Sequence, residues 1–146
     1  MMTLLIKAGT LDDVLQIDAL IPEFDSRNTR SKLEARLEGK DSLALIATVD
    51  GQLAGYKLGY ALSDTTFYSW LGGVAPAFRK HGIATQLRLH QEDWAKESGY
   101  TAIEVKSMNR FPAMLQLLIS SGYQIVGYEE GAQLGDGKIS FRKSIT

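Results

Sequence analysis

The sequence predicts a mixed α/β (α+β) fold with a mostly antiparallel central sheet of about seven strands. Apolar, strand-like runs and helical patterns succeed one another along the 146 residues. An Asp-Gly pair stands between two apolar runs, which is the strongest short-range signal of a hairpin. The length suits one compact domain. No repeat, low-complexity segment or Pro/Gly/Ser-rich linker interrupts it, so residues 1–146 are expected to form a single domain.

The first half of the chain predicts two helices before the hairpin. Residues 3–8 are apolar and β-branched enough for a first strand, and Thr10 with Asp13 resembles a capping box at the start of a helix. Leu33 and Leu37, four residues apart, mark a short second helix. Residues 43–49 and 52–60 flank the Asp-Gly pair as hairpin strands, and the aromatic-rich run 65–74 is a further strand.

The second half of the chain alternates helices and strands. One helical stripe is formed by Ile83, Leu87, His90 and Trp94, where His90 is expected to be semi-buried; a second is formed by Met114, Leu117 and Leu118. A strand over 101–105 separates these helices, and strands over 123–128 and 139–143 follow them. The resulting order, β-α-α-β-β-β-α-β-α-β-β, favours helices packed on a largely antiparallel sheet.

Composition excludes several classes of function. Sixteen basic and seventeen acidic residues leave a net charge of −1, which gives no support to a nucleic-acid or membrane partner. The absence of cysteine excludes disulfides, thiolate metal sites and a cysteine nucleophile. The two histidines lack metal-ligand spacing, so no metal is expected. No apolar run approaches membrane-spanning length, and a cytoplasmic location is expected.

The segment from Gly72 to Ala84 carries the most specific chemistry. A strand ends near Val74, the basic residues Arg79 and Lys80 follow, and a small-residue turn opens a long helix. Unpaired N–H groups and the helix dipole favour an anion such as pyrophosphate at such a helix start. A glycine-containing loop with solvated cations is equally compatible with this segment alone. The pattern is neither a P-loop nor a dinucleotide fingerprint.

Two blocks of the sequence resemble the GNAT superfamily of N-acetyltransferases. The first, which is similar to that family's coenzyme A signature, comprises Val74, Pro76, Arg79, Gly82 and Ala84. The second comprises Asn109, Ala113, Gly122 and Tyr123. The order of predicted elements also matches that fold along essentially the whole chain, and the resemblance implies helices on both faces of the sheet.

The resemblance implies acetyl-CoA as co-substrate, held where the fourth strand splays from the fifth. It assigns donor binding to Leu71, Gly72, Gly73, Val74, Arg79, Lys80, His81, Gly82, Ile83, Ala84 and Asn109. The backbone amide of Gly72 is the candidate for polarising the thioester carbonyl. Two alternatives remain open: the paired glycines simply form a bulge, and Asn109 is a turn residue before Pro112.

The implied reaction is direct attack of an amine of a small molecule or peptide on the thioester. It needs a base for the amine and an acid for the departing thiolate. Leu118 stands where many family members have the tyrosine that protonates the thiolate. The candidates for acid and base are Tyr68, Ser69 and Glu23, with Tyr60 and Glu104 as further choices. For each of them, an ordinary packed or solvated side chain is the alternative that residue type alone favours.

The sequence does not identify the acceptor substrate or the oligomeric state. The loop over 22–29 carries Glu23, Asp25 and Arg27, so its charge does not select an acceptor. The family's C-terminal strands often contribute to dimers, which makes a homodimer one expected assembly. The departure at Leu118 favours an alternative, a coenzyme A-binding regulatory module with little catalysis. An unrelated phosphate-binding α/β domain is the third reading.

Overall fold

The computed structural model describes residues 2–24 and 28–146. In this part of the chain the elements are β1 (Leu4–Ala8), α1 (Leu11–Asp18), α2 (Arg30–Leu37), β2 (Ser42–Val49), β3 (Gln52–Ala61), β4 (Thr66–Val74), α3 (Ile83–Glu97), β5 (Ala102–Met108), α4 (Pro112–Ser120), β6 (Gln124–Glu129) and β7 (Lys138–Ser144). Short 3₁₀ turns span Pro22–Phe24 and Pro76–Phe78. The predicted order of strands and helices is confirmed.

The strands form one sheet of seven in the order β1-β2-β3-β4-β5-β7-β6. Every neighbouring pair is antiparallel except β4 and β5, which run parallel. The helix α3 makes the crossover that a parallel pair requires. The predicted mixed, mostly antiparallel sheet is therefore confirmed.

Local chemistry explains two of the element boundaries. The Thr10 hydroxyl accepts the Asp13 N–H at 3.2 Å, and the Asp13 carboxylate accepts the Thr10 N–H at 3.0 Å, which closes the capping box of α1. Asp50 and Gly51 join β2 to β3 with φ angles of 50° and 83°. Two successive positive φ angles are typical of a type I′ turn, whose twist matches that of the flanking strands.

The helices cover the sheet on both faces. Helix α1 packs on β2, β3 and β4, and α2 packs on α1, around a core that contains Val14, Ile17, Leu33, Tyr56 and Leu58. Helix α3 packs on the other face through Ile83 and Leu87 near its start and Ala95 near its end, and α4 joins that face through Leu118. We call these the α1/α2 face and the α3/α4 face.

Two expectations about the helical stripes are wrong. His90 is exposed, and its Nδ1 lies 2.8 Å from the Gln86 carbonyl oxygen. The buried stripe of α3 continues from Leu87 to Gln91 and Ala95 instead, because four-residue steps carry it past position 90. Met114 is 45% exposed, and Leu118 is the buried residue of α4. Among residues 2–24 and 28–146, each helix is too short or too polar to cross a bilayer.

Candidate active site

The strands β4 and β5 pair over only part of their lengths. Residues Thr66 to Ser69 pair with Ala102 to Val105, after which β4 continues to Val74 and β5 to Met108 without pairing to each other. The splay implied by the resemblance is thus confirmed. It leaves a wedge-shaped opening, with the edge of β4 on one side and the edge of β5 on the other.

A bulge on β4 lies at the point where the opening begins. The register with β3 shifts between Leu58 and Gly59, which leaves Trp70 as the additional residue on β4. Gly72 and Gly73 themselves pair regularly with β3, so the expectation that they form the bulge is wrong. A bulge bends its strand and increases the local twist, which is consistent with the separation of β4 from β5.

The backbone beyond the bulge directs two amides into the opening. The Ala75 N–H donates to the Ala54 carbonyl on β3 at 2.8 Å. Because successive residues of a strand point their N–H groups to opposite sides, the amides of Gly72 and Val74 face away from β3. The carbonyl of Val74 points the same way, since it accepts a hydrogen bond from Arg79 Nε at 3.1 Å.

The loop that leads into α3 presents a row of free amides. Gly82 occupies the N-cap of α3 with φ 75° and Lys80 has φ 67°. Within the described residues, no backbone or side-chain acceptor takes the N–H groups of residues 80–85. The predicted donor residues Lys80, His81, Gly82, Ile83 and Ala84 therefore lie together at a helix start with the partial positive charge that favours an anion.

Glu23 lies against this loop. Its carboxylate pairs with the Arg79 guanidinium at 2.7 Å, in an exposed ion pair that joins the 3₁₀ turn after α1 to the loop before α3. A backbone hydrogen bond and the bond from Arg79 lower the pKa of Glu23, which keeps it ionised. Glu23 does not line the cavity that Tyr60, Tyr68 and Trp70 border. Asp25 and Arg27, cited for the charge of the same loop, lie outside the described residues.

A cavity of about 310 Å³ lies beside the opening on the α1/α2 face. It is lined by one residue of α2 and by residues of β3, β4, β5 and β7, with Leu62 just after β3: Arg36, Tyr60, Leu62, Tyr68, Trp70, Glu104, Val105, Lys106, Lys138 and Ser140. Three aromatic rings form one wall. The Tyr60 ring is 5.4 Å from Tyr68 and 5.8 Å from Trp70, centroid to centroid.

Tyr68 and Glu104 are neighbours in the lining of this cavity. They are register partners in the parallel pair, and both line it. Burial raises the pKa of Tyr68, and the neighbouring Tyr60 raises it further, so its hydroxyl stays protonated at neutral pH. Arg142 Nε and NH2 donate to one oxygen of Glu104 at 3.1 and 2.5 Å. The cavity therefore holds a phenol that can donate a proton and a carboxylate that can accept one.

Ser69 is directed to the opposite face of the sheet. It pairs with Gly59 and is only 4% exposed, and its Oγ has no hydrogen-bond partner within the described residues. Tyr68 and Ser69 are therefore not brought together, because successive residues of a strand alternate in direction.

Lys57 is a residue that the sequence reasoning missed. It is the register partner of Gly72, and its Nζ lies 3.7 Å from the point where a Cβ on Gly72 would be. Burial, and then the positive charge of Arg88, lower the pKa of Lys57 to about 8, against the opposing influence of Glu92. Its position within the alternating strand β3 offered no local signal of this environment.

Several polar atoms on this same α3/α4 face lack partners. Arg88 Nε and Gln91 Nε2 on α3, like Ser69 Oγ on β4, are buried without a hydrogen bond within the described residues. Buried polar groups are rarely left unpaired unless a ligand or water takes them. These three atoms therefore have hydrogen-bonding capacity left for water or a ligand.

One further charged cluster ties α3 to the C-terminal strands. The Glu92 carboxylate accepts hydrogen bonds from Arg88, Tyr123 and Lys143, each at 2.9 Å. Burial by itself would raise the pKa of Glu92, but these three donors outweigh it and lower the pKa. The Glu92 carboxylate is thus engaged by three donors within the protein, and we regard the cluster as structural.

The remaining residues named in the sequence analysis lie at the end of β5 and on α4. Asn109 is exposed directly after β5, and Leu118 is 4% exposed in the core, so no hydroxyl is present at its position. Next to Asn109, Arg110 pairs with Asp136 at 3.2 Å and lies over the Phe111 ring at 5.2 Å. In the described ranges, no group of three or more His, Asp or Glu side chains could hold a metal ion.

Solved structures share this architecture at low sequence identity. The ribosomal-protein-S18-alanine N-acetyltransferase from Escherichia coli matches 99% of this chain and 95% of its own with a TM-score of 0.83 at 16% identity. A GNAT family acetyltransferase from Elizabethkingia anophelis with acetyl-CoA bound matches 97% of both chains with a TM-score of 0.75 at 17% identity. An aminoglycoside 6'-N-acetyltransferase complexed with coenzyme A matches 97% of both chains with a TM-score of 0.77, also at 17% identity.

Comparison of the sequence with family models identifies the family. No curated protein is significantly similar to the chain. The family model for the acetyltransferase (GNAT) family matches residues 11–118, a span that runs from the start of α1 to Leu118 on α4 and includes the opening and the loop before α3. The chain belongs to the GNAT family of acetyltransferases.

Proposed function

We propose that the protein is an N-acetyltransferase that transfers an acetyl group from acetyl-CoA to an amine by direct attack. The observation that carries the proposal is the β4–β5 opening, which has two free amides on its β4 edge and leads towards the amide row before α3. Residues 1–146 act as a single domain in this proposal, in the cytoplasm. The structural neighbours with acetyl-CoA or coenzyme A bound support the donor.

The donor is held at two places in this proposal. Its pyrophosphate lies at the N–H groups of residues 80–85, with Arg79 and Lys80 adding full charges, while its pantetheine arm follows the edge of β4 from Leu71 to Val74. The Gly72 amide donates to the thioester carbonyl oxygen and stabilises the negative charge that develops there. Asn109 contacts the donor from the end of β5.

The acceptor amine enters through the cavity on the α1/α2 face. The neutral amine attacks the carbonyl carbon, the C–N bond forms and the C–S bond breaks. Glu104 receives the proton that the amine loses, directly or through water, and the Tyr68 hydroxyl supplies a proton to the thiolate. Tyr68 suits the acid role because its raised pKa keeps the proton on the phenol until the thiolate forms. Ser69 and Glu23, the other candidates for acid and base, take no proton in this scheme, because Ser69 is directed to the opposite face of the sheet and Glu23 pairs with Arg79 outside the cavity.

Turnover with a panel of primary amines tests the proposal, with release of free coenzyme A thiol as the readout. We expect thiol release that depends on both acetyl-CoA and amine. Glu104→Gln should lower kcat about a hundredfold, while Glu97→Gln at the exposed end of α3 should leave it unchanged. Tight donor binding without thiol release from any amine would overturn the proposal.

That outcome would favour the second candidate, a coenzyme A-binding regulatory module. The burial of Leu118 in the core is the observation that favours it, because it leaves α4 without a hydroxyl at the position where many family members have their acid. Calorimetry with acetyl-CoA then gives saturable binding, while the rate of thiol release stays at the uncatalysed level.

A further inference from the structure

The cavity on the α1/α2 face carries more positive than negative charge. Its lining includes three cations, Arg36, Lys106 and Lys138, and a single carboxylate, Glu104. That carboxylate is already engaged by Arg142 from β7. A ligand in this cavity is therefore exposed to uncompensated positive charge.

The cations differ in how far they are neutralised. Lys106 pairs loosely with Glu129 at 3.6 Å, in an ion pair whose side chains are 40% and 67% exposed. Within residues 2–24 and 28–146, neither Arg36 nor Lys138 has a carboxylate oxygen within 4.0 Å. Arg36 and Lys138 are therefore the cations most available to an anion, while the loose contact with Glu129 offsets part of the charge of Lys106.

Arg36 is held in a fixed orientation. Its NH1 donates to the Tyr60 hydroxyl at 3.0 Å, and its guanidinium lies over the Trp70 ring at 4.7 Å. Tyr60 is only 5% exposed, so the hydroxyl that accepts from Arg36 is held in place by the surrounding core. A guanidinium is planar, and stacking on an aromatic ring leaves the N–H groups at its edge free to bind the two oxygens of a carboxylate or phosphate.

The cavity joins this cation to the place of reaction. Trp70 lies at the bulge where β4 leaves β5, and Val105 is the last β5 residue that pairs with β4; both line the cavity together with Arg36. Its volume of about 310 Å³ is at the lower end of the range for small-molecule sites. A small molecule can therefore contact Arg36 at one end and reach the opening at the other.

We propose that the acceptor is a small amine that also carries an anionic group, a carboxylate or a phosphate, and that Arg36 binds this anion while Lys106 and Lys138 attract it. The inference rests on the proposed N-acetyltransferase function and adds the substrate class. The anion fixes the acceptor so that its amine faces the β4–β5 opening. Polycationic amines are disfavoured, because each additional ammonium group meets the same three cations.

Matched amines that differ only in the anion test the proposal. The pairs are β-alanine against β-alaninamide and ethanolamine phosphate against ethanolamine, with kcat/KM measured by thiol release. We expect the anionic member to be preferred by about tenfold to a hundredfold, which is typical of a charge-assisted hydrogen bond to a guanidinium. The first pair reports a carboxylate and the second a phosphate.

Variants of residues on α2 test whether Arg36 causes the preference for the anionic amine. Arg36→Gln should abolish most of it through KM, and Arg36→Lys should retain part of it. Arg30→Gln, which removes the same charge from the start of the same helix, should leave it unchanged. The ratio of preferences between variant and wild type cancels the intrinsic reactivity of each amine, and unchanged calorimetric affinity for acetyl-CoA shows that the variant remains folded.

Equal kcat/KM for both members of each pair, or a preference that survives Arg36→Gln, would overturn the inference. Binding of the product N-acetyl-β-alanine and of its amide, measured by calorimetry with coenzyme A present, gives a readout that does not need turnover. If no amine is acetylated but the acid product binds better than its amide only when Arg36 is present, the proposed function fails and the anion site stands. If the acid product has no advantage, the anion site fails as well.

Discussion

Replacing Lys57 by methionine should stabilise the protein at neutral pH. Lys57 is on β3 beside Gly72, and within the described residues its side chain has no ion pair or hydrogen bond. A fall in its pKa from 10.5 to about 8 corresponds to about 3 kcal/mol of unfavourable free energy for the charged form, at about 1.4 kcal/mol per pH unit. The Lys57 side chain is partly exposed, so water screens the charge and about 3 kcal/mol is a ceiling.

The sign of the effect sets its pH dependence. Below pH 8 the lysine is charged in both the folded and unfolded states, and the full cost is present. Between pH 8 and 10.5 the folded state releases the proton while the unfolded state keeps it, so the wild-type protein gains stability as pH rises through this interval. Lys57→Met lacks this gain because methionine does not titrate.

Urea unfolding at pH 7, 8, 9 and 10 measures the difference in the free energy of unfolding between the two proteins. We expect Lys57→Met to be more stable by about 1 to 3 kcal/mol at pH 7, with a difference that shrinks towards pH 10. Lys96→Met, in the exposed last turn of α3, serves as the control and should change stability by no more than about 0.5 kcal/mol. A less stable Lys57→Met protein, or a difference in stability that does not change with pH, would show that the charge on Lys57 does not destabilise the folded state.

Three further predictions concern the donor, the acid and the fold. Arg79→Glu should abolish acetyl-CoA binding in calorimetry, since it places a negative charge at the proposed pyrophosphate site, whereas Arg30→Glu should not; unchanged affinity in Arg79→Glu would remove that site. Tyr68→Phe should lower kcat about a hundredfold at unchanged KM for acetyl-CoA, while Tyr128→Phe on exposed β6 should be neutral, and equal rates would exclude Tyr68 as the acid. Glu92→Gln should cost about 3 kcal/mol at pH 7. Because the folded pKa of Glu92 is lowered, its contribution is present above about pH 4.5 and lost as pH falls below it, so urea unfolding at pH 3 should show a smaller difference.

Features that depend on neighbouring residues in the chain were predictable from the sequence. The capping box needs only Thr10 and Asp13, and the hairpin turn needs only Asp50 and Gly51, whose positive φ angles the residue types themselves favour. The start of α3 at Gly82 follows from the same kind of local chemistry. These signals determined the order of elements and placed the amide row before α3.

Features that depend on pairing between distant segments were not predictable from local pattern. The bulge falls at Trp70 rather than at the glycines because the register between β3 and β4 determines it, and that register is set over the whole pair. The contact of Lys57 with Gly72 follows from the same register. The ion pair of Glu23 with Arg79 and the stacking of Arg36 on Trp70 join segments far apart in the chain, and residue type alone carries no sign of them.

Transfer of a labelled acetyl group distinguishes acetylation of an amine from binding of the donor alone. The protein is mixed with acetyl-CoA labelled in the acetyl group and with β-alanine, and the label is followed by mass spectrometry together with the release of thiol. We expect the label to appear on the amine nitrogen in equal amount to the free thiol, and Arg79→Glu to abolish both. Label that stays on coenzyme A at saturating concentrations of donor and of every amine tested would contradict it.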